Sequence, residues 1–369
     1  ARWRRRPRAG MHAAWCALLT LGATGGRRQT LHRALAAAAA LLAGEAPSTA
    51  FYGTPSVAPR APTIVSIPLT DCGGSYCAVF YVDGEPFRAV VDTGSPFLTV
   101  AGSCTKRWGC FRGQGAPTAL PDTFERYEGR EGNVQWRQGY VRLSGKSAAY
   151  DKDIIFGVLS DELVGRPGGV FLGLVKQAAA GIRPTFLSQT RFVSFRIDLR
   201  DPAEARLDMS AAPLVPLDAD ALPLVDLRAL GSPVEHYATR VARVCTNGAP
   251  LDPGDGRPVY AIFDTGTTGL ALSYGLWDAA LKSYVGGGAA PWTGVFSVEL
   301  PTKRPGQRVS LDVDRPFPTT PIATVPWKGF DGHLVVLGLT FLEGRVLTVD
   351  CDRHALWLGY DSTDDMRRS

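Results

Sequence analysis

What this chain has little of narrows its chemistry first. Its five histidines, at 12, 32, 236, 333 and 354, form no ligand-spaced cluster. There is no H-E-x-x-H helix to hold a catalytic zinc. There is also no G-x-S-x-G turn to present a serine nucleophile, and no glycine loop to cradle a phosphate. No metal and no cofactor are therefore expected. The only asparagines are Asn133 and Asn247, and neither begins an N-x-S/T glycosylation site. Long apolar runs are missing too. The two apolar segments near the start, from Met11 to about Leu21 and from Ala34 to Gly44, fall short of the roughly 20 residues a membrane-spanning helix needs. No stable membrane span is expected.

What is present points to a turn-rich β protein. The 369 residues include 41 glycines and 27 prolines between short apolar runs. That length holds one large domain or two ordinary ones. The formal net charge is +5, but it is uneven. Residues 1–50 carry eight arginines and a single acid, Glu45, and the remainder is close to neutral. The basic character belongs to this first segment, so no nucleic-acid partner is expected. Arg27, Arg28 and Arg33, the apolar stretch 34–44 and the small residues Ser48 and Ala50 have the order of a signal peptide, with an exit before Phe51. Residues 1–50 read as a targeting leader and 51–62 as a proline-rich linker. Export through the secretory pathway, to an extracellular or vacuolar site, is the expected destination. A two-part leader directed to a plastid or thylakoid lumen is the alternative, because Arg27-Arg28-Gln29-Thr30-Leu31 loosely matches a twin-arginine signal.

Two stretches repeat one pattern. Residues 87–100 read Phe-Arg-Ala-Val-Val-Asp-Thr-Gly-Ser-Pro-Phe-Leu-Thr-Val, and residues 259–273 read Val-Tyr-Ala-Ile-Phe-Asp-Thr-Gly-Thr-Thr-Gly-Leu-Ala-Leu-Ser. Each delivers one acid, Asp92 or Asp264, from the end of an apolar strand into a Thr-Gly turn. A carboxylate in such a place is costly unless it is paired and hydrogen-bonded. Two such acids in matching contexts suggest a pair built to meet. A second motif follows each at similar distance: Gly169-Val170-Phe171-Leu172-Gly173-Leu174, then Val335-Val336-Leu337-Gly338-Leu339. Glycine at 173 and 338 is expected where another backbone approaches closely. The repeated order is the trace of an internal duplication.

This arrangement resembles the pepsin-like aspartic endopeptidases, and the resemblance runs from about residue 63 to 360. It implies an all-β, bilobal fold with a central cleft, with one lobe over 63–212 and a second over 213–369. It implies peptide-bond hydrolysis of a polypeptide substrate by a monomer, with Asp92 and Asp264 as the catalytic pair. By the same resemblance Thr93 and Thr265 hydrogen-bond across the lobes. Ser95 and Thr267 bond the outer carboxylate oxygens, while Gly94 and Gly266 allow the tight turns. The alternative is a non-catalytic inhibitor or binding protein on the same fold, since fold does not guarantee function. Both triplets are intact, which favours the enzyme.

Six cysteines follow the leader: Cys72, Cys77, Cys104, Cys110, Cys245 and Cys351. An even number behind an export signal reads as three disulfides in an oxidising compartment, with fifteen connectivities open. The resemblance implies Cys104–Cys110. Proximity adds Cys72–Cys77, and Cys245–Cys351 is left over.

Along the chain, strands are expected at Ile64–Leu69, at Ala78–Val82 and Phe87–Val91 around an Asp83-Gly84 turn, and at Phe192–Ile197. Residues 201–215 suit a crossing between lobes, and Leu276–Tyr284 a short helix. Residues 123–143 read as a long polar-faced hairpin. The resembled family covers its cleft with such a flap, so Tyr127 is the expected flap tyrosine and Trp136 the runner-up. Three departures bear on that flap. Pro96 follows Ser95, Thr99 stands where many members carry a supporting tryptophan, and the tip lacks Tyr-Gly-x-Gly.

Overall fold

The structure, a computed structural model, describes residues 64–113, 115–127, 130–143, 150–164, 170–215, 220–283, 294–316, 318–322, 327 and 329–359. The expected leader, the linker, Gly169 and the end of the tail lie outside them. The protein is mostly β, built as several sheets. Among the described residues no helix is long and apolar enough to cross a membrane.

A nine-stranded sheet occupies the first half of the chain. Its path runs Phe171–Gly173, Glu85–Asp92, Tyr76–Val82, Arg130–Leu143, Tyr150–Leu159 and Thr99–Ala101. The expected hairpin forms here, from Tyr76–Val82 to Glu85–Asp92. Its two-residue turn places Asp83 at φ 49° and Gly84 at φ 85°. Left-handed backbone at both positions is what matches the strands' twist. The Asp83 carboxylate then accepts the Tyr140 N–H at 2.8 Å, tying the turn to the long strand beside it.

The second half holds a five-stranded sheet, in the order Ala238–Arg240, Val259–Phe263, His333–Leu337, Leu270–Ser273 and Thr319–Ile322. A four-stranded antiparallel sheet of Ala249–Pro250, Arg243–Thr246, Val295–Pro301 and Arg308–Asp314 accompanies it. The expected short helix is present as Tyr274–Ser283.

A six-stranded antiparallel sheet draws on both halves: Ile64–Pro68, Arg206–Ser210, Ser194–Asp198, Val346–Asp350, Ala355–Gly359 and Leu222–Pro223. At its centre Ser194–Asp198 pairs with Val346–Asp350 over five residues. One apolar core is continuous from Val65 to Leu356 across both halves. The structure departs from expectation within 201–215. Arg206–Ser210 is a strand, not a free crossing, because Leu207 and Met209 alternate inward and are fully buried. The chain after Tyr237 forms two strands, Ala238–Arg240 and Arg243–Thr246, in different sheets.

Cys72–Cys77 and Cys104–Cys110 are bonded, as expected. The third expected bridge is not formed: Cys245 and Cys351 are free and buried. Cys245 lies on a strand of the four-stranded sheet. Cys351 lies in the turn between Val346–Asp350 and Ala355–Gly359 of the six-stranded sheet, with its sulfur 3.4 Å from the Tyr237 hydroxyl. A buried thiol packs as a small apolar group, so a pair left over by elimination need not form a bridge. Burial pushes the Cys351 thiol up to about 12, far from the thiolate form.

Candidate active site

Each acid is delivered by a buried strand braced on a parallel neighbour. Glu85–Asp92 pairs with Phe171–Gly173, Asp92 opposite Gly173. Val259–Phe263 pairs with His333–Leu337, and the Asp264 N–H donates to the Leu337 carbonyl at 3.0 Å. The two glycines earlier read as close-approach positions are just that. A Cβ at Gly173 would lie 2.5 Å from the Ser95 carbonyl oxygen, and one at Gly338 would lie 2.4 Å from those of Thr267 and Gly269. The parallel continues in the backbone: Gly173 N–H donates to Phe97 O at 3.0 Å and Gly338 N–H to Gly269 O at 2.9 Å. Phe97 and Gly269 each stand five residues past their acid.

The two Asp-Thr-Gly turns meet. The Thr93 N–H donates to Thr265 Oγ1 at 3.1 Å, and the Thr265 N–H to Thr93 Oγ1 at 3.0 Å. Each hydroxyl then donates onward to the opposite strand, Thr93 to Phe263 O at 2.8 Å and Thr265 to Val91 O at 2.7 Å. Four bonds thus run reciprocally between loops 172 residues apart. Both threonines are buried, so every one of these polar groups needs its partner.

The carboxylates are held alike. Asp92 Oδ1 accepts the Gly94 N–H at 2.7 Å, and its Oδ2 accepts the Ser95 hydroxyl at 2.6 Å. Asp264 Oδ1 accepts the Gly266 N–H at 2.8 Å, and its Oδ2 accepts the Thr267 hydroxyl at 2.9 Å. The acids also face each other, each carboxylate lying against the glycine of the other's loop. A Cβ on Gly94 would lie 2.8 Å from the Asp264 carboxylate, and one on Gly266 would lie 2.6 Å from that of Asp92. Burial, then the charge of Asp264, raises Asp92 well above the ordinary carboxylate range. Two like charges this close and out of water cannot both form cheaply, so Asp92 holds its proton more tightly than an isolated carboxylate does.

The other expected site residues fall around this pair. Tyr127 ends the strand Thr123–Tyr127, paired with Arg130, but its side chain and the tip at 128–129 lie outside the described residues. Trp136, on the other arm, is buried with its ring 5.0 Å from that of Phe97 in an edge-on contact. Its indole N–H donates to Thr123 Oγ1 at 3.0 Å, joining the two arms. Thr99 has a different duty, accepting the Phe171 N–H at 2.8 Å. Phe97, Arg183, Glu125 and His236 carry no motif and were not singled out in the sequence. Arg183 and Glu125 meet only through the fold. His236 is buried, stacks on Trp327 at 5.6 Å, and is pushed down to about 4 by burial, against the raising effect of the Asp264 charge.

No protein-family model matches the chain, and no curated protein matches it.

Proposed function

We propose that the chain is an aspartic-type endopeptidase on the bilobal pepsin-like fold, with lobes at 63–212 and 213–369 and Asp92 and Asp264 as its catalytic pair. The observation that carries the reading is the reciprocal joining of the two Asp-Thr-Gly turns, which brings two buried carboxyl groups face to face. Such a pair, sharing one proton, suits water-mediated hydrolysis. The ionised carboxylate takes a proton from a water as its oxygen bonds to the scissile carbonyl carbon. The protonated carboxyl gives its proton to the carbonyl oxygen, forming a neutral gem-diol. Return of a proton to the amide nitrogen, with collapse of the diol, breaks the C–N bond and releases amine and acid. Ser95 and Thr267 hold the outer oxygens so that the exchange needs no rearrangement. Neither carboxyl is given a fixed role, because the pair titrates as a unit. The two disulfides fit an oxidising compartment, in keeping with an exported enzyme that acts on unfolded polypeptide.

The test is cleavage of a denatured protein between pH 3 and 7 by the parent, beside Asp92→Asn and Asp264→Asn. The expected result is cleavage by the parent alone, stopped by a statine-type mimic of the diol, with each variant at least about a thousandfold slower. Equal inertness of folded parent and variants would hand the chain to a binding or inhibitory role on the same fold.

A further inference from the structure

Four side chains from three separated segments close around one point beside the Asp92 loop. Glu125 and Trp136 come from the two arms of the hairpin Thr123–Tyr127 and Arg130–Leu143, and both are buried. Phe97 comes from the loop itself and is held by its own backbone, whose carbonyl accepts the Gly173 N–H. Arg183 comes from the segment between Phe171–Gly173 and the short helix Leu187–Gln189. Its guanidinium donates to Glu125 Oε1 and lies 4.5 Å from the Trp136 ring and 4.7 Å from the Phe97 ring. Arg183 touches both arms of the hairpin and the catalytic loop together.

Its energetics argue against a purely stabilising part. The Arg183 side chain is 10% exposed and that of Glu125 is 2%. Taking both charges out of water costs several kcal/mol, which their attraction repays only when every donor is satisfied. Among the described residues the Arg183 Nε–H has no acceptor. Apolar side chains of similar size would fill the space at no loss to the fold. What they would not supply is direction. A flat cation stacked on two rings and bonded to one carboxylate has a single good placement, whereas apolar groups have many.

We infer that Arg183 is a positioning residue for the proposed peptidase, fixing the hairpin 123–143 over the Asp92 loop through Glu125, Trp136 and Phe97. This rests on the reading of the pair as catalytic and of the hairpin as the cleft's cover. It also accounts for Thr99, which lies where a tryptophan would have supported the hairpin: here Trp136 supplies the ring from the hairpin's own arm.

The experiment compares the parent with Arg183→Lys and with the double variant Glu125→Leu/Arg183→Met. Steady-state kinetics on a peptide substrate are measured beside melting temperature and backbone hydrogen exchange over 123–143. The double variant is expected to melt within a few degrees of the parent, to raise KM at least about tenfold with a smaller change in kcat, and to exchange faster across the hairpin. Arg183→Lys keeps the charge but loses the flat stack, and is expected to fall between. Parental KM and parental exchange in a folded double variant would overturn the inference. If the double variant does not fold, Arg183→Lys decides: raised KM at the parental melting temperature supports positioning, and parental KM refutes it. Exchange is also measured with the same changes placed in Asp92→Asn, which needs no turnover. Failure of the parent to cleave any peptide would therefore sink the catalytic reading separately, while exchange still decides whether Arg183 holds the hairpin.

Discussion

Two buried groups near the centre tilt stability with pH in opposite directions. Asp92 is raised, so the folded chain binds its proton more tightly than the unfolded chain does. The resulting stability is complete below the ordinary value of 3.8 and is lost as pH climbs through the raised one. At pH 7 the pair is a source of strain. Asp92→Asn cannot ionise, and it is expected to melt above the parent at pH 7. Thermal melts at pH 7 and pH 3 check this: the gain should vanish at the lower pH, and a variant less stable than the parent at pH 7 would contradict it. His236 acts the other way. Its imidazole is held near 4, below its ordinary 6.5, so the unfolded chain binds the proton first and stability is lost as pH falls between those values. The full loss is about 3 kcal/mol. An enzyme working in acid would do so with part of its margin spent on this one buried ring.

At the level of strands and turns, the sequence was most legible where local chemistry and tertiary packing agree. The Asp83-Gly84 turn, the strands carrying Asp92 and Asp264, and the helix over 274–283 all announce themselves by turn residues or by apolar runs. Arg206–Ser210 did not, because a five-residue alternation set among Asp, Ala and Pro looks like a loop until the six-stranded sheet gives it two partners. Gly173 was readable for a specific reason: its strand runs so close to the loop after Asp92 that no side chain fits. Gly173→Ala must therefore push the Ser95–Phe97 backbone aside. It is expected to cost about 2–4 kcal/mol, comparable to overpacking a tight core, and to slow the proposed hydrolysis by displacing Ser95 from the Asp92 carboxylate. Denaturant melts and peptide kinetics on the same preparation check both effects. A variant with parental stability would mean the loop gives way easily.

Across the whole molecule the two halves do not close separately. The central pair of the six-stranded sheet joins Ser194–Asp198 from the first half to Val346–Asp350 from the second. A fragment ending at residue 212 would leave Ser194–Asp198 as an open edge beside a buried face, and such edges recruit other strands. The fragment is expected to self-associate or precipitate, whereas the full chain stays dispersed; sedimentation of both at matched concentration checks this. A well-behaved monomeric fragment would mean the first half completes itself. This dependence was only partly readable, since the duplicated motifs mark two similar units but carry no sign of the sheet between them. Of the Arg183 cluster only Trp136 stood out in the sequence, because the members lie in three segments that no spacing rule connects.

Gly94 and Gly266 each leave empty the small volume that the opposite acid occupies. The two copies of the motif are therefore interlocked in their tolerance of change. A methyl group gained in one copy would be felt by the carboxylate of the other, so neither copy can drift alone. Any lineage that relaxes one glycine must first surrender, or resize, the acid encoded 170 or 174 residues away.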